Sequence, residues 1–234
     1  MLIMFNMLIG IGICALLAYV IAGSMWITVR KMLASPAAEK DPDAEPEILA
    51  AVPTSIGPFL AGEGFRFVAA YSFHNSRFGI WIRISPDPPL RIFSLLRTVG
   101  AAGTVHEFVT EFSDTNSLTT TNARSAFLFP RRFGSFLQSF PRSAIEQLWQ
   151  THLKGEEYIL AHLAIQLQEC RLSVLERFQR GVRLELSYVK SLPWWPVRGI
   201  YWYLIKRYLL QNRPIWDQNV SEIYGPCGSA EEER

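Results

Sequence analysis

No aspartate, glutamate, lysine or arginine occurs among residues 1–29. A solvated surface segment would carry such charges, so their absence sets an expectation of a membrane-spanning helix. A hydrocarbon core about 30 Å thick needs about 20 apolar residues in helical form, and the run centred on Leu8 to Leu17 supplies them. A cleaved secretory signal fits less well. It would open with basic residues and have a shorter apolar run. Trp26 falls where an indole meets the bilayer interface, and Arg30 and Lys31 follow at once. With no basic residue before the run, the positive-inside rule puts the rest of the chain in the cytoplasm. Residues 1–29 therefore read as a single-pass signal-anchor, with the lipid bilayer as one partner.

Cysteine is scarce. Cys14, Cys170 and Cys227 are the three in the chain, an odd count without close spacing. That excludes a disulfide framework or a zinc pattern and suits a reducing compartment. The Gly-x-Ser-x-Gly elbow, the Walker A loop and the dinucleotide glycine fingerprint are all missing. His74, His106, His152 and His162 lack the spacing of a zincin helix, so neither a metal nor a cofactor is expected. The formal net charge is +2, too small a field to argue for nucleic acid.

What is present sorts into segments. Residues 30–58 hold Pro36, Pro42, Pro46, Pro53 and Pro58 with most of the local acidic charge, which predicts an extended linker with a short helix near Glu47 to Val52. Residues 59–225 carry the folded domain, and 226–234 form an acidic tail. From Phe65 the pattern has period two, with Phe65, Phe67, Ala69, Tyr71 and Phe73 on one face. Turn-forming residues divide the following stretch into runs at 78–84, 90–99, 104–112, 117–122 and 136–140. Helical periodicity follows. Ser143 and Glu146 have capping-box spacing, Gly155 ends or bends the first helix, and a second helix runs to about Gln179 with Gly181 as its stop. Residues 182–188 read as strand or helix. The fold class expected is α+β: a transmembrane helix, an antiparallel sheet of five or six strands, and C-terminal helices packed on it.

Two sets of side chains stand out as functional candidates. Leu192 to Leu210 is rich in Trp and Tyr, with Trp194, Trp195, Trp202, Lys206 and Arg207 suited to a helix lying at a lipid interface, alongside Trp26, Arg30 and Lys31. The alternative is a core helix with a solvated basic face. The second set is a polar stretch beside the sheet: His106, Glu107, Glu111, Thr119, Asn122 and Arg124. Alternation puts Glu107 and Glu111 on one face and His106 on the other. The leading functional expectation is an assembly module that binds a protein partner. A tethered hydrolase using residues 106–124 and a lipid-sensing domain are the alternatives.

Overall fold

A computed structural model describes residues 16–17, 19–24, 26–27, 38–73, 76–83, 89–98, 103–168 and 172–224. Seven strands form one sheet: β1 (Glu39–Lys40), β2 (Phe65–Phe73), β3 (Ser76–Arg83), β4 (Leu90–Thr98), β5 (Val105–Glu111), β6 (Ser117–Thr121) and β7 (Ser135–Ser139). They lie side by side in chain order. Every neighbouring pair is antiparallel except β6 with β7, which is parallel. A parallel pair needs a crossover rather than a hairpin. Residues 122–134 make it, and Phe127 is buried on the way.

This corrects the expected fold class. The sheet is mixed rather than purely antiparallel, and it has seven strands rather than five or six. The membrane anchor expected over residues 1–29 is corrected as well. Among the described residues no helix is long and apolar enough to cross a membrane. Of that stretch the structure describes only residues 16–17, 19–24 and 26–27, all helical, and the rest of the expected span lies outside the described residues. The single-pass, membrane-localised reading falls with it. Arg30 and Lys31, on which the orientation rested, lie outside the described residues, as do Cys14, His74, Cys170, Cys227 and the acidic tail.

The acidic, proline-rich stretch after residue 38 packs rather than extending. It forms a 3-10 turn at Pro42–Ala44, then α1 (Glu45–Ala51) and α2 (Ile56–Gly62). Pro46 and Pro58 sit in first helical turns, where a missing N–H leaves no bond unmade. Ala44, Ile48, Ile56 and Leu60 are buried in the core. Glu47 pairs with Arg77 and, at 3.3 Å, with Arg97. The acidic residues thus meet basic partners on β3 and β4. Gly79 in β3 leaves room for Ile48, because a Cβ there would collide with its side chain.

A bulge in β2 resolves the aromatic pattern differently from strict alternation. Phe67 pairs with Trp81 and Ala69 with Ile80, so Val68 is the extra residue. One inserted residue moves the following side chains to the other face. Phe65 and Phe67 therefore pack toward α1 and α2, whereas Ala69, Tyr71 and Phe73 pack on the opposite side.

Two long helices cover the two faces. α3 (Ile145–His162) lies over β5 and β6, and α4 (Val174–Ser191) brings Val174, Leu175 and Phe178 to the other face. α3 runs straight through Gly155, which does not end it. A Cβ at 155 would fall 2.6 Å from Gln138 Nε2 and 3.1 Å from Leu118. The glycine sets how closely helix and sheet approach. The Ser143–Glu146 capping box does not form, since Ala144 is the N-cap. The box is at Ser173 and Glu176, starting α4. Gly181 lies inside α4, and residues 182–188 are helical. After α4 come α5 (Trp195–Tyr201), a π-helical turn (Trp202–Lys206), α6 (Arg207–Leu210), a 3-10 turn (Ile215–Asp217) and α7 (Val220–Ile223). They close the β7 edge: Asn212 N–H donates to Ser139 O at 2.7 Å, and the Tyr224 hydroxyl bridges the Leu137 backbone.

Candidate functional site

The polar residues expected to share a pocket divide between the two faces of the sheet. His106 lies toward the helix face that holds Phe93, 6.1 Å between rings. Its Nε2 bonds Thr104 Oγ1 at 3.0 Å, and its backbone N–H donates to Asn122 Oδ1 at 2.8 Å. Desolvation holds its pKa below the ordinary value. Glu107 points the other way, to Ser94 Oγ at 3.4 Å and to Thr121. Desolvation raises its pKa, partly offset by those hydroxyls and by Arg131. Glu111 is raised by the same cause and meets Arg177 at 2.9 Å. Thr119 is half-buried between them in phase, and Arg124 is exposed, its carbonyl accepting from Gln211 Nε2 at 2.7 Å. His106 and Glu107 thus lie on opposite sides of one strand, out of reach of a common substrate. A shallow surface depression lined by Tyr158, His162 and Trp216 contains none of them.

The side of the sheet bearing Glu107 meets α4 through charge. Glu185 lies 3.4 Å from both Arg131 and Arg132, and Asp114 lies 4.0 Å from Arg180. Burial lowers the Arg132 pKa, with Glu185 acting against that trend. These pairs position α4, and with it the turn into α5.

A polar chain that the sequence reading missed lies under α3. Arg91 grips Glu156 with two bonds, of 3.0 and 2.5 Å. Thr110 Oγ1 donates to Glu156 at 3.0 Å, which spends its one hydrogen. The 2.8 Å contact between Thr110 and His152 Nε2 must then be donated by the histidine. Nδ1 therefore accepts from Thr120 Oγ1 at 2.8 Å. Thr120 in turn accepts from Gln138 Nε2 at 2.8 Å, and Gln138 Oε1 accepts from the Ile215 N–H at 3.0 Å. Every donor points toward the carboxylate. Each bond polarises the next. His152 is fully buried, and burial with the nearby Arg91 charge pushes its pKa down to about 3. It is neutral, in the tautomer the chain of donors requires. The visible signal was His152 and Glu156 four apart on one helix face. Thr110, Thr120, Gln138 and His152 are fully buried while Arg91 is 18 % exposed, and the bonds tie α3 to β4–β7. Among the described residues no cluster of three or more His, Cys, Asp or Glu side chains could hold a metal.

The aromatic segment near the C-terminus gives the most unusual surface. Trp202 and Leu210 are buried in the core, and Trp195 packs on Phe129 at 6.4 Å. The opposite face of the same helical stretch is open. Trp194 (81 % exposed), Val197, Tyr201, Leu204, Ile205, Tyr208 and Leu209 project from it. Their spacing of three and four is that of one helix face. Trp194 also has φ +56°, a left-handed conformation that bulky residues rarely adopt. Pro193 and Pro196 bracket it. Lys206 is paired with Glu222. Arg207 stacks over Tyr203 (4.0 Å) and Tyr208 (4.5 Å) and donates to the Tyr208 hydroxyl at 2.6 Å. Trp26 is exposed too, in the separate helical stretch near the N-terminus.

The fold and this surface describe a mixed α+β domain with an uncovered aromatic helix face. No family model matches the chain, and no curated protein or solved structure is similar to it.

Proposed function

We propose that this chain is a partner-binding module that docks another protein on the 194–209 helix face. One observation carries the reading: seven large apolar side chains stand exposed in a single helical stripe. Contiguous exposed apolar surface marks interaction sites. Three of the seven, Trp194, Tyr201 and Tyr208, are of residue types enriched in binding hot spots. Two cations of this stretch are already engaged, Lys206 by Glu222 and Arg207 by two tyrosines, whereas Arg198 stays exposed, so vesicle binding is the control that separates a lipid surface from a protein partner. Membrane anchoring has no part in this reading, and the division of residues 106–124 between two faces argues against a catalytic one.

Photo-crosslinking side chains placed at Leu204 and Tyr208 test it against one at Glu157, which is exposed on α3. The expected result is one defined protein adduct from the stripe positions and none from 157. Equal or absent crosslinking at all three would refute the assignment.

A further inference from the structure

The stripe has a length, a period and a charge, and together they select a partner. Trp194 to Leu209 spans about 22 Å at helical rise, four turns of side chains at intervals of three and four. A linear ridge of that kind is complementary to a second helix that offers apolar residues at the same period. Charge narrows the choice. From Leu186 to Trp216 the chain has five basic residues, Lys190, Arg198, Lys206, Arg207 and Arg213, and no acidic one. Lys190, Arg198 and Arg213 are exposed, before, beside and after the stripe. Two copies placed stripe to stripe would bring these cations together, which opposes a symmetric dimer. We infer that the docked element is an amphipathic helix with acidic side chains along the border of its apolar face.

The inference rests on the docking function proposed above, and its test separates the two. The full chain is titrated with two synthetic helical peptides. They share one Leu/Trp face and differ only in carrying glutamates or lysines beside it. The glutamate peptide is expected to bind about tenfold tighter, the effect of a few exposed ion pairs. The preference should vanish in the Arg198→Glu, Arg213→Glu variant, and all binding should vanish in Tyr201→Ser, Leu204→Ser. All four positions are exposed, so these variants keep the fold. Equal binding of both peptides, lost with Tyr201 and Leu204, would overturn the acidic preference and leave docking standing. Binding of neither, or binding indifferent to the stripe substitutions, would overturn docking itself. Stripe-dependent binding to phosphatidylserine vesicles without peptide binding would give the face to lipid and overturn both.

Discussion

His152 makes the fold acid-sensitive in a window set by its burial. Its ordinary pKa of 6.5 falls to about 3 in the folded chain. Between those values the unfolded state binds a proton that the folded state refuses. Stability from this group is therefore complete above pH 6.5 and is lost as pH falls toward 3. The slope approaches about 1.4 kcal/mol per pH unit, so lowering pH from 7 to 5 removes about 2 kcal/mol and full titration about 5 kcal/mol. Urea unfolding midpoints at pH 7, 6 and 5 measure it, with His152→Gln as the comparison. Glutamine can still accept from Thr120 and donate to Thr110, but it does not titrate. His106 adds a term of the same sign, because desolvation also lowers its pKa. Glu107 and Glu111 act oppositely. Their folded pKa values are raised, so their contribution is present below the ordinary 4.5 and lost as pH rises through the folded values. All three terms are common to both proteins and cancel in the difference. The wild-type chain should lose about 2 kcal/mol more than the variant between pH 7 and 5. Equal losses would refute a neutral, proton-refusing His152 in the folded chain.

Three further outcomes follow from the packing. Gly155→Ala should destabilise by about 1–2 kcal/mol, because the crowding against Gln138 exceeds the helix-propensity gain of alanine; a raised thermal midpoint would contradict this. Arg91→Met should cost about 3 kcal/mol by leaving Glu156 buried and unpaired, and adding Glu156→Gln should recover more than half of it in a double-mutant cycle. Trp194→Gly should stabilise by up to about 1 kcal/mol in urea unfolding, since glycine adopts the left-handed backbone without strain, while abolishing crosslinking from the neighbouring stripe positions.

The strands from β2 to β7 were legible in sequence because alternation and turn residues are local signals. So was the stripe's aromatic composition. Pattern alone left it open whether Tyr201, Leu204 and Tyr208 face a core or an outside partner. Periodicity states which residues share a face, and only the position of Trp202 and Leu210 in the core turns the opposite face outward. The acidic segment after residue 38 looked like a linker because proline and carboxylates dominate it. Its helices form because Ile48 finds the space over Gly79 and Glu47 finds Arg77 and Arg97, partners remote in sequence.

By itself the sequence determined the charge-free start, the strand runs, the lack of catalytic motifs and the aromatic, acid-free stretch from 186 to 216. Tertiary structure decided the rest. The bulge at Val68 sends half the β2 aromatics to the second face. The parallel β6–β7 pair brings Gln138 beside Thr120. Gly155 is a point of close contact rather than a helix stop. The physical reason is common to all three. Side-chain direction follows from local backbone geometry, but what a side chain meets depends on elements that only packing brings near.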